Sequence, residues 1–212
     1  MNRSGAIKYD LQERIFQNNG TYASYPFVIS GGSKEERDAL NEVILGDINK
    51  ILSLYSADAF LPPAKDTDLF LRDTLHIGYV IMRNDETYLS IFYTADFFSP
   101  YGAYPTQMVY TTNIDLKNIK RLKLQDLITV DVNFIDKVLS GNPVNVNPDY
   151  IRGIKDYFQG LGMDVINRGF AFADIIGPGN FLGIFSYIKP DVIGISISVP
   201  NYLGNHVEYE IE

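Results

Sequence analysis

The side chains able to do covalent or metal chemistry are few in this chain. It has two histidines, His76 and His206, and no cysteine, which excludes thiolate catalysis, disulfides and cysteine zinc sites. His76 lies inside a predicted strand and His206 in a predicted turn, and neither has a partner at a spacing typical of a catalytic pair. We therefore expect a half-buried structural His76, a solvated His206, and no catalytic residue, metal or cofactor.

Two tyrosines are the strongest candidates for binding. Tyr101 and Tyr104 lie in the Pro/Gly-rich segment Pro100-Tyr101-Gly102-Ala103-Tyr104-Pro105, between two aromatic-rich strands. Most aromatic side chains of the strands are expected in the core, but burial is harder in such a loop. Exposed tyrosines on a rigid loop are typical of surfaces that recognise a protein or a sugar. The sequence therefore predicts a ligand-binding role for Tyr101 and Tyr104.

A basic cluster stands out against an acidic chain. Eighteen Lys and Arg against 26 Asp and Glu give a net charge of −8, which disfavours nucleic acid as a partner. Lys117, Lys120, Arg121 and Lys123 nevertheless fall within seven residues. The favoured interpretation is a solvated hairpin edge, because lysines at sheet edges prevent aggregation. The alternative is contact with an anionic cell-wall polymer, through Lys120 and Arg121.

The elements that position these residues follow from apolar spacing and turn chemistry. Strand periodicity predicts a hairpin of residues 6–16 and 21–29 around Asn19-Gly20, and Ser33 with Glu36 forms a capping box for a helix ending near residue 56. Further strands are predicted at 73–82, 88–97, 106–114, 169–176, 181–188, 192–199 and 207–211, and further helices at 131–139 and 147–161. Together these strands and helices predict an α+β fold, with an antiparallel sheet and segregated helices. It divides into two closely packed subdomains, 1–128 and 129–212, and no apolar run is long enough to span a membrane.

Several motifs resemble one extracellular bacterial domain family, that of the RsiV anti-sigma factors and the amino-terminal half of PdaC-type deacetylases. They are Tyr25-Pro26-Phe27-Val28-Ile29-Ser30-Gly31 before a helix containing Asn41, and the stretch from Tyr93 to Ile128 with Asn113-Ile114-Asp115-Leu116 and Leu124-Gln125-Asp126-Leu127-Ile128. Tyr101 replaces the family's first loop glycine, and Tyr104 stands where the family often has histidine. The helix-then-strand end of the chain is similar to the family's carboxy-terminal partner module.

The resemblance implies a non-enzymatic binding or sensing domain at the bacterial cell envelope. Its implied partners are peptidoglycan or a lysozyme-like protein, and its implied location is extracellular or cell-surface, in a parent protein whose signal or anchor segment has been removed here. Two alternatives stay open at this point. One is a glycan hydrolase, which needs two carboxyl groups in one cleft, about 5–10 Å apart, one of them with a raised pKa. The other is a structural spacer module.

Overall fold

The computed structural model of the protein describes residues 9–55 and 73–212. The start of the first predicted strand, at residues 6–8, lies outside these residues. The first half contains β1 (Asp10–Asn18), β2 (Thr21–Ser30), α1 (Lys34–Tyr55), β3 (Thr74–Asn84), β4 (Tyr88–Phe98), β5 (Thr106–Asp115), β6 (Lys120–Leu122) and α2 (Leu124–Leu127). The second half contains α3 (Val132–Ser140), α4 (Ile151–Leu161), α5 (Met163–Ala171), β7 (Phe185–Ile188), β8 (Ile193–Ser198) and β9 (His206–Ile211).

The opening hairpin and helix form as their local sequence predicts. Asn19 and Gly20 both adopt positive φ, 41° and 86°, the turn that matches the twist of a two-residue hairpin. At the start of α1 the Ser33 hydroxyl accepts a hydrogen bond from Glu36 N at 3.1 Å, and Ser33 N donates to the Glu36 carboxylate at 2.8 Å. Both halves of the predicted capping box are therefore confirmed.

The six strands β1 to β6 form one sheet in sequence order. All neighbouring pairs are antiparallel except β2 and β3, which run parallel over only three residue pairs. Beyond that point the side chain of Asn41 replaces the missing strand partner. Its amide oxygen accepts from Val28 N at 2.8 Å, and its amide nitrogen donates to Val28 O at 3.0 Å. The buried backbone of β2 is thereby satisfied by a helix side chain rather than by a neighbouring strand.

The second half differs from prediction in two elements: the strand predicted at 181–188 begins only at Phe185, and the strand predicted before it is absent. Residues 169–176, predicted as a strand, contain the end of α5 and a turn. The alternation of Phe170 and Phe172 imitates a strand, but Ile166 and Phe170 are four residues apart and both buried, the spacing of one helix face. A Cβ on Gly169 would stand 2.3 Å from the side chain of Leu182, so this small residue allows the close approach.

The antiparallel sheet β7–β8–β9 packs against the larger sheet on the face opposite α1. Alternation along β5 shows this directly, because successive side chains point to opposite faces. Thr112 donates to Asp47 of α1 at 2.9 Å, while Asn113 donates to Ser186 O of β7 at 2.8 Å. The other face of the small sheet shares an apolar cluster with α3, α4 and α5. The predicted α+β class with segregated helices is confirmed, whereas the subdomain boundary at residue 128 stays a prediction.

A buried carboxylate joins the two sheets. Asp174, 1% exposed, accepts hydrogen bonds from Ser186 N and Leu124 N at 2.6 Å each, from Ser186 Oγ at 2.7 Å and from Thr111 Oγ1 at 3.3 Å. Burial raises the pKa of Asp174, and these donors and the charge of Arg121 oppose that rise. Every oxygen of this carboxylate is engaged by the fold, so we assign Asp174 a structural role.

Candidate functional site

The loop between β4 and β5 presents its tyrosines to solvent. Tyr101 is 81% exposed and Tyr104 is 71% exposed. Within the loop, Gly102 N donates a hydrogen bond to Ser99 O at 2.9 Å and closes a tight turn. A Cβ at Gly102 would stand only 3.3 Å from Ser99 O, which favours glycine at this tight turn. The predicted exposure of both tyrosines is confirmed.

A third exposed tyrosine, missed by the sequence analysis, lies beside this loop. Tyr202, 71% exposed, is in the short 3-10 helix that follows Pro200 in the β8–β9 connection. Its neighbour Leu203 is buried and fixes the turn on the core. The Asn201 amide nitrogen donates to Pro105 O at 3.2 Å, so the two loops are joined. We call Tyr101, Tyr104 and Tyr202 the tyrosine surface.

The tyrosine surface is free of charge in its own loops. Neither residues 99–105 nor residues 200–205 include Asp, Glu, Lys, Arg or His. They offer aromatic rings, phenolic hydroxyls and the amides of Asn201 and Asn205, which are donors and acceptors without net charge. Such a surface can stack on the apolar face of a ring while hydrogen-bonding hydroxyl or amide groups at its edge. This chemistry suits a neutral sugar or a polar protein surface.

Lys120 and Arg121, the other predicted binding residues, lie at the far end of the sheet. Lys120 pairs with Asp115, the last residue of β5, whereas the tyrosine loop precedes Thr106, the first. Nine residue steps along β5 separate these ends by roughly 30 Å. The structure therefore does not bring Lys120 and Arg121 together with the tyrosine surface.

The charges of both basic residues are already matched within the chain. Lys120 Nζ lies 2.8 Å from Asp126 Oδ1. Arg121 Nε lies 2.5 Å from Asp47 Oδ2, and Arg121 Nη2 donates to Thr111 O at 3.0 Å. Because the Asp47 side chain is 2% exposed, Arg121 neutralises a buried carboxylate. Arg121 thus has a structural partner that no spacing in the sequence could reveal.

A cleft lies near this far end, and it bears on the hydrolase alternative. It has a volume of about 440 Å³ and is lined in part by Asp115, Asp126 and Asp191. A hydrogen bond from Asn118 holds the pKa of Asp115 below its usual value, and one from Lys120 does the same for the pKa of Asp126. A glycosidase needs one carboxyl group with a raised pKa to act as the acid, and neither of these two meets that requirement.

A second acidic cluster surrounds Tyr187 between the two sheets. Its hydroxyl donates to Glu208 at 2.8 Å and lies 3.4 Å from Glu210, while His206 Nε2 lies 3.3 Å from Glu208. Burial alone would raise the pKa of Glu208, but hydrogen bonds from His206 and Tyr187 and the charges of His206 and Lys189 outweigh it and lower that pKa. Glu208 is therefore held as the ionised form, which suits an ion pair better than a catalytic acid.

Both histidines differ from expectation. His206 begins β9 with its side chain only 12% exposed, because it packs against Glu208 and near the ring of Phe92. His76, expected to be half-buried, is exposed and stacks on Tyr22 with ring centroids 5.0 Å apart. Across residues 9–55 and 73–212, no three acidic or histidine side chains converge at a spacing suited to a metal ion.

Comparison with known proteins identifies a fold and no function. No family model matches the sequence, and no curated protein matches it significantly. A solved DUF3298 family protein from Bacteroides fragilis NCTC 9343 superposes with a TM-score of 0.53 at 15% identity, covering 99% of this chain and 92% of that one. A second DUF3298 family protein, from Pseudomonas aeruginosa PAO1, gives 0.44 at 11% identity, covering 96% and 88%. The fold of this chain is thus similar to that of the DUF3298 family protein from Bacteroides fragilis.

Proposed function

We propose that this chain is a non-enzymatic recognition domain of the bacterial cell envelope, extracellular or cell-surface, which binds the glycan of peptidoglycan through the tyrosine surface. The observation that carries the proposal is the clustering of three highly exposed tyrosines on two loops joined by the Asn201–Pro105 hydrogen bond. Isolated exposed aromatic residues are common, but several on loops that are joined to each other are typical of an interaction site.

Three features support a glycan as the ligand. The tyrosine loops lack charge, which matches neutral sugar rings better than an ionic partner. Their rings and amides supply both stacking and hydrogen bonding. The resemblance to RsiV/PdaC-type domains suggests an envelope location, and the parent protein would then be secreted or anchored. None of the helices within the described ranges is long and apolar enough to cross a membrane.

The test is co-sedimentation with purified peptidoglycan, alongside a titration with lysozyme. We expect saturable binding to peptidoglycan that is lost in a Tyr101→Ala, Tyr104→Ala, Tyr202→Ala triple variant. Because all three side chains are largely exposed, each substitution should change the free energy of unfolding by less than about 0.5 kcal/mol. Val132→Ala removes an exposed apolar side chain at the start of α3 and is the matched control, expected to bind as the parent does.

Each other outcome has a definite meaning. Binding to lysozyme alone, lost in the same triple variant, would make a protein the ligand of the tyrosine surface. Release of reducing ends from peptidoglycan would favour the hydrolase alternative. Absence of binding and of glycan turnover would overturn the proposal and favour a spacer module. A large loss of stability in the triple variant would place these side chains in the core, contrary to their exposure.

A further inference from the structure

Strand β1 is an open edge of the six-stranded sheet. Its nine residues, Asp10–Asn18, are all exposed except Leu11, which is half-buried. In the part of the chain that the structure describes, only β2 pairs with it. Ile15 and Phe16 are 53% and 40% exposed, so the strand carries apolar side chains as well as free backbone groups. A long exposed edge strand is a template for pairing with another strand.

The hairpin geometry determines which backbone groups are available. In a two-residue hairpin, the residues flanking the turn, here Asn18 and Thr21, form a hydrogen-bonded pair, and bonded and non-bonded pairs then alternate. Pro26, which has no N–H, lies opposite Glu13 at a non-bonded position, as this alternation requires. The residues whose N–H and C=O point away from β2 are therefore Leu11, Glu13, Ile15 and Gln17.

These observations support a twofold arrangement. We propose that two copies of the chain pair antiparallel through β1, with Ile15 on the twofold axis, so that one sheet continues across both protomers. Glu13 of one protomer would lie opposite Gln17 of its partner, and Arg14, which stacks on Phe27 of its own chain at 5.0 Å, opposite Phe16, so that no like charges face each other. Three hydrogen-bonded pairs would supply about six inter-strand hydrogen bonds, two for each pair.

The charged side chains of β1 select this register among the alternatives. An axis at Glu13 would place two carboxylates opposite each other, and an axis at Arg14 would oppose two guanidinium groups. Like charges directly opposite destabilise a strand pair. An axis closer to the turn would shorten the paired segment. The register centred on Ile15 is thus the longest one that avoids opposing like charges.

The same pairing explains why association would end at two copies. The opposite edge of the sheet consists of β6, which has only three residues and pairs only with residues 113–115, and of β5 residues 106–112, of which 109–112 are buried. Short or covered edges of this kind are poor templates for a further strand. Because the β1 interface is the same patch on both protomers, one pairing closes the assembly as an isologous dimer.

Sedimentation equilibrium over a wide range of concentrations tests the dimer. We expect a monomer–dimer equilibrium in the parent chain, and Ile15→Lys should raise the dimer dissociation constant about tenfold or more because it places two ammonium groups at the axis. Thermal unfolding of a sample at low concentration should be almost unchanged, since Ile15 is mostly exposed. A parent chain that stays monomeric throughout, or a dimer insensitive to Ile15→Lys, would overturn the proposal.

A single-cysteine variant provides a second test that does not depend on the behaviour of Ile15→Lys. The chain has no native cysteine, so a cysteine introduced at position 15 can form only an intermolecular disulfide. Residues facing each other in a hydrogen-bonded antiparallel pair have Cα atoms about 5.5 Å apart, within disulfide range. Ile15→Cys should cross-link readily under mild oxidation, while the equally exposed Val132→Cys should not. Equal cross-linking of the two variants would exclude the proposed axis.

Discussion

Replacing Arg121 with methionine should destabilise the protein severely, although Arg121 belongs to a surface strand. The reason is Asp47, whose side chain is 2% exposed and lies 2.5 Å from Arg121 Nε. Removing Arg121 leaves this buried carboxylate paired only with the exposed Lys50, and breaking a buried ion pair costs about 3–5 kcal/mol. Thr112 at 2.9 Å and Lys50 at 3.1 Å still contact the carboxylate, so we expect about 3 kcal/mol. For a chain of this size, that corresponds to a fall in melting temperature of roughly 6–12 °C.

Urea unfolding followed by circular dichroism measures this loss. Lys120→Met is the matched control on the neighbouring residue, since Lys120 forms only an exposed pair with Asp126 and such pairs are worth less than about 1 kcal/mol. Adding Asp47→Leu to Arg121→Met should restore most of the lost stability, because an apolar pair replaces the buried charge. If Arg121→Met and Lys120→Met lower the free energy of unfolding by the same amount, the core does not need the guanidinium of Arg121. The predicted role of Arg121 in binding would then be favoured again.

Three further predictions concern stability. Gly194→Ala should be strongly destabilising in urea unfolding, because a Cβ there would stand 1.9 Å from the ring of Tyr187; normal stability would contradict the packing of that ring. Gly160→Ala, in α4, should instead stabilise by about 0.5–1 kcal/mol, because an added Cβ would meet no atom within 4 Å beyond the adjacent helix backbone; a loss of stability would show an unrecognised neighbour. Folding lowers the pKa of Glu208. The stability that ionised Glu208 contributes to the folded state is therefore present above its ordinary pKa of 4.5 and is lost as the pH falls through the lowered pKa. Glu208→Gln should therefore reduce the acid sensitivity of unfolding, and an unchanged pH profile would refute this assignment.

The parts of the fold that depend on neighbouring residues could be predicted from the sequence. The β1–β2 turn, the Ser33–Glu36 capping box and the antiparallel strands β3 to β5 all follow from local patterns. The parallel pairing of β2 with β3 could not be predicted, because it depends on where α1 returns the chain. The strand predicted at 169–176 failed because an alternating run of phenylalanines there is also compatible with one buried helix face, and only packing against Leu182 decides between them.

The candidate site also has features that the local sequence predicts and features that depend on residues far apart in the chain. The Pro/Gly criterion that singled out Tyr101 and Tyr104 applies equally to Tyr202, in Pro200-Asn201-Tyr202-Leu203-Gly204, so that residue could have been found. What the sequence could not show is the hydrogen bond that joins the two loops, because its partners are 96 residues apart. The role of Arg121 was hidden for the same reason, since Asp47 precedes it by 74 residues.

The packing of the small sheet on the large one has a consequence for synthesis of the chain on the ribosome. Phe92 of the large sheet finds its ring partner in Tyr187 at 5.5 Å, while Asn113 and Ser90 of the same face hydrogen-bond to Ser186 and Ile188 of β7. These partners are translated about 70 residues after β5 ends, which takes several seconds at roughly 5–20 residues per second. During that interval, the face of the nascent sheet that carries Ser90, Phe92 and Asn113 lacks the β7 groups that pack on it and hydrogen-bond to it. Completion of the native structure therefore waits until β7 has left the ribosome.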